Sequence, residues 1–236
     1  MFENCQCLQQ LFIQGFGSSK LDFHRITVNG HNLKVINISF HKERLKIYWT
    51  QSSLTLNLET VKLIVDNCTE LSELALSNIS QLAVVYLCQN LTQKICKLHL
   101  DGKLKTGHYY LPNTSVKILS RRFDKLTALS ICYIRISNAA VRYIKNLANL
   151  EKLALSQSDE ELSVRINYFA AMSKLKLLCV DSIHSFFGTR KELKEMCVQE
   201  LSHLENLTIL FDGVKIIKFG YQKKLMDIAM PDKNRW

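Results

Sequence analysis

A short apolar motif recurs along almost the whole of this chain of 236 residues. The motif is apolar-x-x-apolar-x-apolar, and its first residue returns over 196 positions in seven steps, a mean of 28. A period of about 20 to 50 residues is typical of proteins built by stacking similar units. The eight copies are Leu8/Leu11/Ile13, Leu33/Ile36/Ile38, Leu71/Leu74/Leu76, Ile95/Leu98/Leu100, Leu126/Leu129/Ile131, Leu150/Leu153/Leu155, Leu175/Leu178/Val180 and Leu204/Leu207/Ile209.

The spacing within and between the copies predicts one strand and one helix in each unit. The last two apolar residues of a copy are two apart, which indicates a short strand with one buried face. Three- and four-residue apolar spacing follows, which predicts helices over 58–65, 82–91, 116–123, 136–147, 162–172 and 193–201. We therefore predict an α/β solenoid of about eight repeats over residues 1–212, with a curved parallel sheet inside and helices outside, and a C-terminal cap or tail over 213–236.

Composition narrows the class of protein. An apolar fraction of 47% in a chain of this length supports a packed core. The longest apolar run has seven residues, 82–88, against about 20 for a bilayer-spanning helix.

The N-terminus has neither the basic nor the apolar region of a secretory signal. We therefore expect eight reduced cysteines and a cytoplasmic or nuclear protein with no membrane contact. Six N-x-[ST] sequons argue for secretion, but several fall inside predicted strands.

The repeat resembles a leucine-rich repeat. Cys5-x-x-Leu8 and Cys68-x-x-Leu71 match the C-x-x-L-x-x-L-x-L opening of the cysteine-containing repeats of the F-box/leucine-rich-repeat family. The stretch IRISNAAVRYIKNLANLEKLALS is also similar to a unit of that family. The resemblance implies a protein-protein interaction module, the substrate-recognition domain of a cullin-type (SCF) ubiquitin ligase. An intracellular leucine-rich-repeat scaffold or signalling protein unrelated to ubiquitin is the alternative.

The chain departs from that family in two respects. A cysteine or asparagine is usual three residues after the third apolar position, whereas other residues stand there in all eight copies. No F-box precedes the first motif, so we expect a fragment or a relative that has lost this module, and contact with the ligase adaptor only through the absent F-box. The residues at the departing position are Phe16, His41, Ile79, Lys103, Ile134, Ser158, Ile183 and Asp212.

The residues between the buried strand positions are the candidate binding residues. Side chains alternate across a strand, so these residues point to the concave side, which is the usual binding face of a solenoid. The most polar group among these residues is Lys97, His99 and Asp101. In a functional interpretation these three side chains anchor a protein partner. In a simpler interpretation they belong to an ordinary exposed strand. The candidates for partner binding on the concave face are Phe12, Asn37, Glu73, Lys97, His99, Asp101, Lys152 and Asp181.

Two longer insertions supply further candidates. They fall in the 38- and 31-residue steps between copies, and insertions in repeat proteins often lie on the binding face. Aromatic residues beside arginine are frequent anchors of protein interfaces. We therefore predict partner binding by Tyr48, Trp49, Tyr109 and Tyr110, while packing of these rings against the solenoid is the alternative.

The net charge of +10 lies mostly away from the predicted concave face. That face carries two lysines against three carboxylates, whereas residues 102–125 carry six cations against Asp124. Such a basic region either attracts acidic partners or keeps the surface soluble. We expect protein partners and regard nucleic acid as an improbable ligand.

Catalytic and metal-binding motifs are missing from the sequence. It has no glycine-rich phosphate loop, no G-x-S-x-G and no H-E-x-x-H, and its seven histidines are dispersed. His99 and Asp101 share one strand face without a nucleophile or an oxyanion site. Cys5-x-Cys7 lacks the second pair of a structural zinc site. We therefore expect neither an enzyme nor a cofactor.

Overall fold

The structure is a computed structural model, and it describes part of the chain. The described residues are 7–14, 30–39, 56–102, 109–156, 168–181, 199, 201–204, 208–211, 215–218 and 226–228. Side chains are described for most of these, and the backbone alone for the three last ranges.

Ten strands form one sheet in which each strand pairs with the next along the chain. The first eight strands pair in parallel, and the last two pair antiparallel to their predecessors. The strands are β1 Gln10–Gln14, β2 Val35–Ser39, β3 Glu73–Ile79, β4 Lys97–Gly102, β5 Ala128–Cys132, β6 Lys152–Ser156, β7 Leu177–Asp181, β8 Thr208–Phe211, β9 Lys215–Lys218 and β10 Met226–Ile228.

The core lies between this sheet and the helices, and the repeated motif builds it. In copies two to six all three apolar positions are buried, most of them with less than 3% of their surface exposed. In the first copy Leu8 and Ile13 are only partly buried. Equivalent positions lie directly opposite each other on neighbouring strands, as Leu74, Leu98 and Leu129 do. The predicted α/β solenoid is confirmed.

Four helices lie entirely within the described part of the chain, one after each of four strands or insertions. They are α1 Leu58–Asn67, α2 Gln81–Asn90, α3 Asn113–Arg122 and α4 Asn138–Ile144. Each of the four falls on a predicted helical segment. Successive helices pack against one another. Most of the segments predicted at 162–172 and 193–201 lies outside the described residues. None of the described helices has the length and apolar character that a membrane crossing requires.

The same local sequence starts all four helices. A buried apolar residue precedes each N-cap, and a buried valine follows four residues after it, the arrangement of a hydrophobic staple. Three of the caps are polar side chains that accept a hydrogen bond from the first turn, at Asn57, Ser80 and Ser137. The fourth cap, Pro112, has no such bond. The apolar pairs are Leu56/Val61, Ile79/Val84, Leu111/Val116 and Ile136/Val141.

The chain turns sharply at the ends of β3 and β5. Asn78 and Tyr133 have φ of 58° and 54°, a left-handed conformation that side chains rarely adopt. The isoleucine that follows each of them, Ile79 or Ile134, is fully buried. These isoleucines stand three residues after the third apolar position of their motifs, and both fill that position with a buried apolar side chain.

Hydrogen bonds from an arginine side chain to the backbone of the preceding repeat supplement the apolar contacts. Arg122, in the last turn of α3, donates to the carbonyl oxygens of Gln89 and Leu91 at the end of α2. Those carbonyls belong to the last turn of a helix, where intrahelical donors run out. The guanidinium therefore joins two consecutive repeats through their helix ends.

The direction of pairing changes near the predicted boundary at residue 212. Strand β8 is the last in the parallel series, and β9 and β10 continue the sheet as antiparallel strands. An antiparallel addition ends the run of identical units. The division into a solenoid over 1–212 and a cap over 213–236 stays a prediction.

A methyl group at Gly102 should destabilise the fold. A Cβ at this buried position would meet the carbonyl oxygen of Tyr133 and lie 2.8 Å from Cγ1 of Ile134, so the turn of the next repeat must shift. We expect Gly102→Ala to lower the free energy of unfolding by about 1–3 kcal/mol in urea titrations followed by circular dichroism. Thr114→Ala, on the exposed side of α3, is the control, with a change below about 0.5 kcal/mol. Equal stability of the two variants would contradict the close approach.

Candidate functional site

The residues between the buried strand positions form three rows across the sheet. We call the side of the sheet that they occupy, opposite the helices, the open face. Parallel pairing in register places equivalent residues side by side. The first row is Gln10, Val35, Glu73, Lys97, Ala128, Lys152, Leu177 and Thr208; the second is Phe12, Asn37, Ala75, His99, Ser130, Ala154, Cys179 and Leu210. The third row is paired in three separate groups, which are Gln14 with Ser39, Ser77 with Asp101 and Cys132, and Ser156 with Asp181.

The first row carries the exposed charges of the open face. Lys97 donates to the carboxylate of Glu73 on the adjacent strand, with Nζ and Oε1 2.7 Å apart. Both side chains are substantially exposed, at 56% and 38%, so this pair contributes at most about 1 kcal/mol to stability. Lys152 is exposed two strands further along the row. The row therefore offers both signs of charge to a partner.

The second row is less exposed at its centre than strand alternation predicts. Ser130 and Ala154 point to the open face, yet only 5% and 4% of their surface is exposed. Strands about 4.8 Å apart let longer neighbouring side chains cover short ones. His99, next to Ser130, is half-buried, and its Nδ1 is shielded from solvent. The centre of the row is thus a shallow, nearly closed surface.

The first two strands expose an aromatic ring beside a buried amide. Phe12 has 60% of its surface exposed. It lies in register with Asn37, whose side-chain oxygen is buried and has no hydrogen-bond partner among the described residues. Exposed phenylalanine is unusual on a solvated strand, and aromatic side chains are enriched at protein interfaces.

The third row connects the open face to the second predicted loop. Asp101 is half-buried between Ser77 and Cys132. Burial raises the pKa of Tyr109, and the nearby carboxylate of Asp101 raises it further. The hydroxyl of Tyr109 donates to the carbonyl oxygen of Ile79 at 3.0 Å. Tyr109 is therefore held against the end of the sheet.

The neighbouring ring, Tyr110, faces outward. It is 49% exposed, and the guanidinium of Arg135 lies 5.6 Å from the centre of its ring. The side chain of Gln81 donates to the Tyr110 carbonyl oxygen at 2.7 Å. The backbone also pairs with the following repeat through Leu111 N–H and the carbonyl oxygen of Arg135, at 2.9 Å. An exposed ring on a fixed backbone is suited to contact a partner at low entropic cost.

The sequence does not single out Arg135 or Leu82, yet both belong to this edge. Leu82 is 68% exposed, and it follows Gln81, which bonds to Tyr110. The alternation Ile134-Arg135-Ile136, with both isoleucines buried, is the signal that could have placed Arg135 outward. Leu82 has no such signal, because it lies within the longest apolar run of the chain.

Some of the other predicted residues lie outside the part of the chain that the structure describes. Asp181 is at the end of β7, opposite Ser156, where the backbone alone is described. Tyr48 and Trp49 lie outside the described residues. The partner-binding roles of all twelve candidates stay predictions. No group of histidine, cysteine, aspartate and glutamate in the described part could hold a metal ion.

Comparison with known proteins finds solved structures that are similar to this chain. Two internalins of Listeria monocytogenes have similar structures: internalin C2 (inlC2), with 18% identity over 79% of this chain and a TM-score of 0.41, and inlF, with 16% identity over 87% and a TM-score of 0.46. The repeated leucine motif, buried at equivalent positions of a sequential parallel sheet, makes the fold a leucine-rich-repeat solenoid. The chain spans about three fifths of the length of both, 62% and 61%. No protein-family model and no curated protein matches it.

Tyr109 should make the stability of this leucine-rich-repeat solenoid depend on alkaline pH. Its pKa is raised in the folded state, so above about pH 10 the unfolded chain loses the phenolic proton while the folded chain keeps it. The contribution of Tyr109 to the free energy of unfolding is therefore fully present below about pH 10 and is lost as the pH rises further. At neutral pH, Tyr109→Phe should cost about 0.5–1.5 kcal/mol, the worth of the hydrogen bond to Ile79.

The difference between Tyr109→Phe and the unmodified protein should shrink above about pH 10, because only the unmodified protein then loses the tyrosine contribution. Urea unfolding at a series of pH values measures it. A second comparison, with Tyr110→Phe, serves as control, because the Tyr110 side chain is exposed. A constant difference at all pH values would contradict the buried placement of the hydroxyl.

Proposed function

We propose that this protein is a protein-binding module that holds its partner on the open face. The observation that carries the proposal is the register of the three rows, which presents mixed charge, small polar groups and an exposed phenylalanine as one continuous surface. Interfaces of this composition are common between proteins, whereas small ligands need an enclosed apolar pocket. Solenoids characteristically bind along this side of the sheet.

The residues of the open face support binding rather than catalysis. His99 and Asp101 are two residues apart on β4, as the strand period requires. Their neighbours in register are Ala75, Ser130, Ser77 and Cys132. Ser130 is nearly fully buried, and its hydroxyl oxygen lies 3.3 Å from the sulfur of Cys132. A nucleophile in that position is covered by its neighbours and lacks access to a substrate, which favours an interaction module.

A photo-crosslinking experiment tests the open face. A benzophenone amino acid replaces Lys152 on the open face, and a second protein carries it at Asn90, at the end of α2. We expect a partner in a lysate of the source cells to crosslink to the Lys152 position and not to the Asn90 position. Lys97→Ala/His99→Ala/Asp101→Ala in the Lys152 background should lower the yield at least about ten-fold, since several contacts of about 1 kcal/mol are removed together.

The same experiment can reject the proposal. Equal crosslinking from both positions would place the contact elsewhere or make it non-specific. An unchanged yield in the triple variant, with an unchanged circular dichroism spectrum, would remove Lys97, His99 and Asp101 from the binding surface. Lys62→Ala, on α1, is the matched control for the loss of an ion-paired lysine on the helical side.

A finer assignment is the substrate-recognition domain of a cullin-type ubiquitin ligase in the cytoplasm or nucleus. Its support is the Cys68-x-x-Leu71 opening, in which both side chains are fully buried. The N–H of Cys68 donates to the carbonyl oxygen of Ile64, so this cysteine ends α1 just before the next strand. Cys7, Cys68, Cys88 and Cys96 are free thiols, as expected in a reducing compartment. The competing assignment is a leucine-rich-repeat scaffold without a ligase.

Co-purification separates these two assignments. The 236-residue chain alone should not bind the ligase adaptor, since its sequence contains no F-box. The longest natural product of the gene, isolated from its own cells, should bring cullin-ligase subunits with it, detectable by mass spectrometry. Their absence, together with retained binding on the open face, would favour the scaffold. Tight binding of the adaptor by the chain itself would contradict the assignment, in which the repeats bind the substrate and an F-box binds the adaptor.

A further inference from the structure

A group of cations on the helical side has no role in binding at the open face. Helices α3 and α4 pack together, and five basic residues project from them and from the turns that follow. Asp124 is the only carboxylate between residues 109 and 150. We call this group the basic outer surface; its members are Lys117, Arg121, Lys125, Arg142 and Lys145.

Elsewhere in the described part, four lysines are paired with carboxylates of the same or the preceding repeat, whereas Lys34, Lys152 and Lys174 have no carboxylate partner among the described residues. Lys62 pairs with Glu59 within α1 at 3.1 Å, and Lys176 pairs with Glu151 at 3.0 Å. Lys94 likewise pairs with Glu70 of the preceding repeat. No member of the basic outer surface has a carboxylate partner among the described residues. Among the described residues, the charge of this surface is therefore not balanced.

Tyrosine rings hold three of these cations in place. Lys117 Nζ lies 5.9 Å from the centre of the Tyr143 ring, which joins α3 to α4. Arg142 and Lys145 both lie over the Tyr168 ring, at 5.7 and 5.6 Å from its centre. Arg142 Nε also donates to the Tyr168 hydroxyl oxygen at 2.6 Å. Two positive charges thus share one ring of the next repeat.

This arrangement keeps like charges close together. Lys117 and Arg121 are four residues apart on α3, and Arg142 and Lys145 are three apart, so each pair shares a helix face and repels. The ring contacts restrict where the cations can go, which lowers the entropy lost when an anion binds. An anionic partner would relieve the repulsion and gain contacts with side chains that are already placed.

We propose that the basic outer surface binds a carboxylate-rich segment of a partner protein. Five single charges spread over two helices and the turns that follow them match a run of aspartates and glutamates better than one phosphate, which needs several cations at one point. Stacking of nucleic-acid bases is disfavoured, because cations already cover the tyrosine rings. On the other side, α2 has no charged residue, and α1 carries Glu59 and Asp66, so the basic surface ends there.

Fluorescence anisotropy with a labelled peptide of alternating glutamate and serine tests the proposal on the whole chain. We expect binding that weakens by about ten-fold between about 50 and about 200 mM salt, because these exposed charges are screened. Arg121→Glu/Arg142→Glu should weaken it by at least about ten-fold, through loss of two contacts and new repulsion. Lys34→Glu/Lys62→Glu makes the same change in net charge elsewhere and should weaken it less than about two-fold.

Three outcomes would overturn the proposal. An equal loss in the two double variants, with unchanged circular dichroism spectra, would show attraction to net charge only. Tighter binding of labelled poly-uridine RNA or of a singly phosphorylated serine peptide, dependent on Arg121 and Arg142, would assign the surface to that ligand instead. Loss of glutamate-peptide binding in Lys97→Ala/His99→Ala/Asp101→Ala would move the site to the open face. Because the two surfaces have separate variants, failure here leaves the proposed function of the open face standing.

Discussion

Burial of each repeat by its neighbours is the constraint on which the whole structure depends. A single strand-and-helix unit has a core only a few side chains wide, so it excludes water only when another unit covers it. The apolar residues must therefore lie opposite their equivalents, as Leu76, Leu100 and Ile131 do. Parallel pairing in register is a consequence of this stacking. The rows of the open face follow from the same register, because a strand that aligns its buried side chains also aligns its outward ones.

The backbone conformation is most restricted by this stacking at the turns that follow the strands. Asn78 and Tyr133 adopt a left-handed backbone so that the isoleucines behind them can enter the core. Gly102 holds the corresponding place in the intervening repeat, where the turn of the next repeat approaches too closely for a side chain. Strain and close contact at this edge are compensated by the apolar burial that they permit. The rigid edge also carries Tyr110 and its stacked arginine.

The repeat and its alternation are sufficient to predict the fold and the composition of the open face from the sequence. Both depend on periods of two and of three to four residues, which the chain displays many times over. The burial of an individual side chain cannot be predicted from these periods. Tyr109 and Tyr110 are adjacent residues of the same type, yet Tyr109 donates a hydrogen bond to Ile79 and Tyr110 faces solvent. Their difference comes from the backbone of other repeats. Likewise, the cover over Ser130 depends on strands to either side.

The distribution of charge gives the two sides of the solenoid different physical characters. On the open face opposite charges meet across strands, as in Glu73 and Lys97, so the surface is nearly balanced and its recognition depends on shape and short-range contacts. On the helical side of α3 and α4 the cations outnumber the carboxylates and are held by rings, so attraction there acts over about a Debye length and declines with salt. Both sides belong to the same repeats, because β5 lies between α3 and α4 in the chain. The same repeats therefore present a nearly balanced surface on one side of the sheet and a basic surface on the other.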